Sequence, residues 1–247
     1  MTDRPRLTPA IADVRRAVRE SWDASGVIAG DLVLVACSGG PDSLALAAAV
    51  AFEAPRARIS AGAVIVEHGI QEITKDVAAR TAEILRTLGL DPVQVAYVSV
   101  GEAGGPEAAA RAARYEALDE AAAALDAKVV MLGHTLDDQA ETVMLGLARG
   151  SGPRAINGMA VHAGRYLRPL LGIKRETTHS FCEDSGLEPW IDPQNSEDRF
   201  TRVRVRQAVL PMLEIELGPG IAESLARTAE LVREDSEYLD ELALAAY

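Results

Sequence analysis

The sequence predicts an α/β protein: a parallel sheet with helices on both faces, followed by a C-terminal helical extension. Three observations predict it. Apolar runs of strand length alternate with helix-length stretches from Leu32 to Ala148. The first run, Leu32 to Ala36, is apolar at every position, as in a strand covered on both sides. It ends in Cys37-Ser38-Gly39-Gly40-Pro41-Asp42-Ser43, a glycine turn that opens an alanine-rich helix.

The elements follow in order. Ile11 to Ala24 reads as an amphipathic helix, with Ile11, Val14 and Val18 on one stripe. The loop strand comes next, then a helix through Leu44 to Phe52. Ala61 to Val66 is a second strand and ends at Glu67-His68-Gly69. Lys75 to Leu88 is a helix with Gly89 as its C-cap. Val93 to Val100 is a third strand. The glycine-rich stretch Gly101 to Pro106 leads into a helix from Glu107 to Asp126. Lys128 to Leu132 is a fourth strand ending at Gly133-His134, and a helix runs from Thr135 to Ala148. A further helical stretch, Ala222 to Tyr247, starts after Pro219-Gly220. The order is that of a Rossmann-like sheet, in which ligands bind at the carboxyl ends of strands. The glycine loop, Glu67-His68-Gly69 and Gly133-His134 all fall at such ends and are expected to converge.

The loop is an anion site by construction. Gly39 and Gly40 let the main chain approach a ligand, Pro41 suits the first turn of a helix, and free amides point along the helix dipole. Two commoner phosphate loops are excluded: no Lys follows the glycines, and the spacing is not GxGxxG. Asp42 is the informative residue. A carboxylate beside phosphate repels it unless a cation lies between, and magnesium on Asp42 resolves that conflict. Asp42 and Ser43 also have a plainer reading as helix-capping residues.

His134-Thr135-Leu136-Asp137-Asp138-Gln139-Ala140-Glu141-Thr142 carries the second chemical signal. On a helix, His134, Asp138 and Glu141 share one face. Acids there hold magnesium with Asp138, or position an incoming ammonium group. First-turn acids also simply suit the helix dipole. On the helix from Glu107, Arg111 and Arg114 are candidates to stabilise developing negative charge, beside a plainer role in surface ion pairs.

Composition narrows the class. Of 247 residues, 48% are hydrophobic, enough for a large core. The net charge of −12 excludes a general nucleic-acid coat, so any RNA contact needs a local patch. Between Arg149 and Arg206, ten Lys or Arg face seven Asp or Glu, and Arg199, Arg202, Arg204 and Arg206 fall within eight positions. If helical, Arg202 and Arg206 share a face and Arg204 points elsewhere. Cys37 and Cys182 form no disulfide framework, zinc quartet or CxxC pair, which fits a reducing cytosol. Met1 to Ala10 lacks the apolar core of a signal peptide, and the run from Leu44 to Phe52 is too short to span a bilayer.

The SGGPDS string after a buried strand resembles the loop of the PP-loop ATP pyrophosphatases. GPEAAARAARYEAL, GHTLDDQAETVMLGLARGSG, GM, RPLL, DPQN and FTRVRVRQAVLP then follow in an order similar to that of the tRNA(Ile)-lysidine synthetases. The match runs from the loop to about Leu213. Two positions depart: the family usually has Asp at Glu67 and a His-His pair at His134-Thr135. The resemblance implies a catalytic domain over residues 1–215, with 216–247 a helical extension or the start of a further domain. It implies a tRNA-modifying ligase that adenylates the wobble cytidine of tRNA(Ile) with a CAU anticodon and then joins L-lysine to it. ATP is consumed and Mg²⁺ assists.

The implied site follows residue by residue. Nucleotide falls to Ser38, Gly39, Gly40, Pro41, Asp42, Ser43, Glu67, His68, Gly133 and His134. Catalysis falls to Asp42, Arg111, Arg114, Asp137, Asp138 and Glu141, and metal to Asp42 and Asp138. RNA contact falls to Arg149, Arg154, Arg199, Arg202 and Arg206. The location is cytoplasmic, with no membrane, and the oligomeric state is open. Three alternatives share the loop: a tRNA thiolation enzyme, which needs cysteine pairs; a small-molecule synthetase; and a nucleotide-binding module without catalysis.

Overall fold

The computed structural model describes residues 7–67, 72–98, 105–150, 152–193 and 197–246. It divides into two compact units, Met1–Gly133 with His162–Ile191, and His134–Val161 with Asp192–Tyr247.

The first unit holds the sheet. Strands β1 (Leu32–Ala36), β2 (Ser60–Glu67), β3 (Val93–Tyr97), β4 (Val129–Leu132), β5 (His162–Ala163) and β6 (Tyr166–Leu167) lie in the order β3-β2-β1-β4-β6-β5. Every neighbouring pair is parallel except β5 with β6. β1 is central, with Val33 beside Ala61 on one side and Val129 on the other. That position explains its unbroken apolar run, since both faces are covered. Val33 and Val35 enter the core with α1 (Pro9–Ser25), α2 (Pro41–Ala57), α3 (Glu72–Thr87) and α6 (Arg175–Asp184). Leu34 and Ala36 enter a second core with Leu118, Ala121 and Ala122 of α4 (Pro106–Ala124). The period-two alternation of a strand thus feeds two separate layers.

Local signals set the helix ends. Thr8 caps α1 by accepting from the Ile11 amide at 3.4 Å, and Pro9 occupies the first turn. α2 is buried nearly all round from Ser43 to Val50, which is why its pattern is alanine-rich rather than amphipathic. The expected third strand is shorter than its apolar run: β3 stops at Tyr97, and Ser99 and Val100 lie outside the described residues. The β5–β6 hairpin adds two strands of two residues each, too short to leave a periodic signal.

The second unit is helical among its described residues. α5 (Leu136–Arg149) is followed by a 3₁₀ turn, Pro153–Ile156. α7 (Thr201–Arg204) runs through a π-segment, Val205–Val209, into α8 (Leu210–Leu217). The π-segment precedes Pro211, whose ring removes a backbone donor and crowds the turn before it. The Leu210 amide reaches back to the Val205 carbonyl instead. α9 (Ile221–Ala246) starts where the Glu214 carboxylate accepts from the Gly220 and Ala222 amides, at 2.7 and 3.2 Å. No helix among the described residues is long and apolar enough to cross a membrane.

Candidate active site

The glycine loop joins β1 to α2 in the first unit. Gly39 has φ +84°, where a side chain is strained, and a Cβ on it would lie 2.5 Å from Thr81 Oγ1 and force that hydroxyl aside, so glycine suits the position. Ser43 stitches the turn together. Its hydroxyl donates to the Gly40 carbonyl at 3.0 Å and accepts from the Ser38 amide at 3.2 Å. The Gly40 amide donates to Ser38 Oγ at 3.4 Å. Gly40 itself is the N-cap and offers no side chain to the first-turn amides, so the start of α2 is built to take an outside anion. Gly133, at the end of β4, crosses directly over this turn, and a Cβ there would sit 3.0 Å from the Ser43 backbone. The loop and Gly133 therefore do come together, as expected for strand ends.

Asp42 is held from α6. The Thr178 hydroxyl donates to Asp42 Oδ1, and Arg175 Nε lies 3.7 Å from Oδ2. Thr178 is fully buried, and both charged side chains keep some access to solvent. Sequence reasoning missed Thr178 and Arg175. They stand more than 130 positions from the loop, and no local pattern links them to it. One carboxylate does not make a metal cage, and no group of three or more His, Cys, Asp or Glu among the described residues does so. Asp42 suits magnesium only in company with phosphate oxygens, the usual habit of that ion.

Both cysteines flank the loop. Cys37 Sγ donates to Ser43 Oγ at 3.5 Å, and Cys182 Sγ to the Pro41 carbonyl at 3.4 Å. Burial pushes the Cys37 thiol up. Burial first, then the charges of Asp42 and Cys37, push Cys182 to about 12. Both are neutral thiols near pH 7, unsuited to nucleophilic or metal chemistry.

The remaining candidates of this unit sit as follows. Glu67 is buried at the end of β2. His68 lies outside the described residues. Arg111 is exposed, its guanidinium 4.9 Å from the Tyr115 ring centroid and its Nη2 3.4 Å from the Tyr115 hydroxyl. Arg114 is partly buried, and desolvation holds its pKa below the usual arginine range. Tyr115 packs edge-on against Tyr166, whose hydroxyl donates to Asp119 at 2.8 Å.

The acid helix α5 belongs to the second unit. Thr135 and Asp138 form a capping box: Asp138 Oδ2 accepts from the Thr135 amide at 2.9 Å, and the Asp138 amide donates to Thr135 Oγ1 at 3.4 Å. Glu141 is fully buried and gripped by Arg206, with Nε 2.7 Å from Oε1 and Nη2 3.0 Å from Oε2. Arg202 Nε lies 3.6 Å from the same carboxylate, and Arg206 Nη2 lies 3.6 Å from Asp138 Oδ1. Asp138 and Glu141 thus share a face, as expected. Asp137 is half-buried in the first turn, and His134 precedes the cap.

The RNA candidates separate into two kinds. Arg202 and Arg206 share a face and turn it toward the α5 acids, while Arg204 points elsewhere and donates to the Asp198 and Arg199 carbonyls. Arg149 is exposed in the last turn of α5. Arg154 is exposed and pairs with Asp240 at 2.6 Å, and Arg199 is exposed beside Glu197. A second feature missed from sequence is Gln139, whose amide exchanges two hydrogen bonds with the Met159 backbone at 2.9 and 2.7 Å.

Comparison with known proteins places this geometry. Residues 15–213 match the PP-loop domain model. A tRNA(Ile)-lysidine synthase of Leifsonia xyli is 63% identical over 215 residues, covering 87% of this chain and 65% of that protein. One of Thermobifida fusca is 56% identical over 232 residues, covering 94% and 71%. The chain therefore spans about two thirds of the length of these relatives. Among solved structures, the U34-tRNA thiolase NcsA of Methanococcus maripaludis superposes with a TM-score of 0.76 at 20% identity, over 91% of this chain and 79% of that one, a likeness of fold alone. By the PP-loop domain match and relatives above half identity, the chain belongs to the PP-loop family and, within it, to the tRNA(Ile)-lysidine synthases.

Proposed function

We propose that this protein is a tRNA-modifying ligase that converts the wobble cytidine of tRNA(Ile) with a CAU anticodon to lysidine. The observation that carries the reading is identity above 50%, over most of the chain, to proteins named tRNA(Ile)-lysidine synthase. The loop geometry supports the first half-reaction. The cytidine O2 attacks the α-phosphorus of ATP, an O–P bond forms, and pyrophosphate leaves. The free amides at the start of α2 and the Ser38-to-Ser43 turn hold phosphate oxygens. Asp42, kept in place by Thr178 and Arg175, is the loop carboxylate for magnesium, which when bound neutralises charge on the departing pyrophosphate.

In the second half-reaction the lysine ε-amine, deprotonated, attacks C2, and the C2–O bond breaks to release AMP. Asp137, Asp138 and Glu141 are the acids of α5 that we assign to orienting the lysine amine. Asp138 and Glu141 set the electrostatics of the helix through Arg202 and Arg206. Arg111 or Arg114 stabilises the adenylated intermediate. Residues 1–215 form the catalytic part, and work in the cytoplasm is consistent with the chemistry.

A thiolation enzyme is the runner-up by fold, but Cys37 and Cys182 are buried neutral thiols. The test is incubation with ATP, labelled lysine and tRNA(Ile) bearing CAU. Label on RNA with matching pyrophosphate release supports the reading. Pyrophosphate release without RNA labelling turns it toward a small-molecule synthetase.

A further inference from the structure

A groove of about 900 Å³ opens in the first unit between α1, the C-terminal half of α2 and the end of α6. Its floor is apolar and includes Ala48, Ala51, Leu88, Phe181 and Leu187. Its rim is cationic: Arg15, Arg19 and Arg56 surround a single carboxylate, Glu53. Glu53 is nearly fully buried and already taken by Arg19 at 2.9 Å. Among the described residues, the groove's lining therefore carries an excess of two positive charges, in a chain whose net charge is −12.

Two of these cations stack on one aromatic ring. The guanidinium carbon of Arg15 lies 3.2 Å from the Phe52 ring centroid and that of Arg56 lies 3.6 Å from it. Two groups so close to one centroid must cover its opposite faces. Stacking uses the flat face of a guanidinium and leaves its in-plane N–H edges available to an oxyanion. Arg56 spends one such donor on the Phe52 carbonyl. Arg15 Nε is buried and has no hydrogen-bond partner among the described residues. Burial lowers the Arg15 pKa, and Arg56 and Arg19 oppose its charge further, against the pull of Glu53. The cluster is thus one anion short of balance.

We propose that this groove binds a phosphomonoester on a small organic molecule, with the phosphate bridging the N–H edges of Arg15 and Arg56 at the rim of the Phe52 ring and the organic body on the apolar floor. Charge selects the class. A phosphomonoester carries about −1.5 to −2 at neutral pH, matching the excess of two, whereas a carboxylate carries one charge. An internal RNA phosphodiester also carries one and brings no compact body to fill the groove. The site is not the glycine loop. Arg56 sits in the last turn of α2 and the loop in its first, roughly 20 Å apart at 1.5 Å per residue.

The test uses the whole chain with its glycine loop filled by a non-hydrolysable ATP analogue, and titrates AMP, inorganic phosphate and short RNAs with and without a 5′-phosphate by calorimetry. The expected result is AMP binding in the parent and at least tenfold weaker binding in the double variant Arg15→Gln, Arg56→Gln. Analogue affinity should be equal in both. Arg15→Lys, which keeps charge and loses the fork, should fall between them. Inorganic phosphate binding that weakens in the same double variant also supports the phosphate contact.

Three results overturn the proposal: no AMP or phosphate binding with the loop filled, equal binding in the double variant, or binding of 5′-hydroxyl RNA where AMP is silent. If the double variant loses the analogue as well, Arg56→Gln alone is read by the same criteria. If the analogue binds neither protein, the catalytic reading fails, and AMP titration of the free chain still decides the groove.

Discussion

Arg206 closes a two-point fork on Glu141, with donor–acceptor distances of 2.7 and 3.0 Å, and the Glu141 carboxylate is wholly buried. Arg202 stands 3.6 Å away on the same side. A face that looks basic in the sequence is therefore spent on the acid helix of the same unit.

Breaking this pair should cost stability first. Removing one partner of a buried ion pair costs about 3–5 kcal/mol. Arg206→Ala should fall near the lower end, because Arg202 remains beside Glu141. The double variant with Glu141→Gln should recover part of the loss, since no buried charge is then left behind. Urea unfolding of the three proteins measures this. Equal midpoints for Arg206→Ala and the parent would show the fork to be unimportant.

RNA contact should then rest on the exposed arginines. Arg149→Ala with Arg154→Ala should reduce the salt slope of tRNA binding by roughly one unit for each lost phosphate contact. ATP binding should be unchanged. Arg154 must first leave Asp240, an exposed pair worth little. Filter binding across a salt series reads the slope, and an unchanged slope excludes these two residues from the RNA surface.

Asp42→Asn should fold normally and lose magnesium-dependent pyrophosphate release on the order of 10²-fold or more, as expected when several kcal/mol of charge stabilisation is removed. Thr178→Val should produce a smaller loss in the same assay, because it removes one of the contacts that hold the carboxylate and leaves the carboxylate itself. Near-parental release from Asp42→Asn would end the metal assignment.

Asp138 carries a capping role and a proposed catalytic one, and two substitutions separate them. Asp138→Ala removes the capping box and should lower stability by about 1 kcal/mol. Asp138→Asn keeps an acceptor oxygen for the Thr135 amide and should melt near the parent. If Asp138 matters to chemistry, lysidine formation falls in both. Full turnover in Asp138→Asn leaves it a cap alone.

Cys182 gives a pH test. Its folded pKa, about 12, is raised above the ordinary thiol value of 9.0. A raised pKa contributes stability that is fully present below the unfolded value and is lost as pH rises through the folded one. The window is therefore pH 9 to 12. Thermal melting of the parent should decline across it more steeply than that of Cys182→Ala, and parallel curves would show that the thiol is not held neutral by the fold.

Much of the sheet was legible because its signals are local. Five consecutive apolar residues in β1, a glycine pair and Pro41 determine strand, turn and helix without help from distant parts of the chain. The Thr135–Asp138 spacing likewise contains its own cap. What sequence could not supply were partners across long separations. Asp42 meets Thr178 and Arg175 only because α6 packs on α2, and the β5–β6 hairpin is too short to show a period. The arginines from Arg199 to Arg206 make the contrast plainest. Their charge and spacing are written in the chain, and i, i+4 geometry places Arg202 and Arg206 on one face of a helix. Whether that face meets water, RNA or a buried carboxylate depends on where Glu141 lies in space. Tertiary packing decided it, because an acid taken out of water needs a cation within hydrogen-bond reach, and that demand has no signature in local sequence.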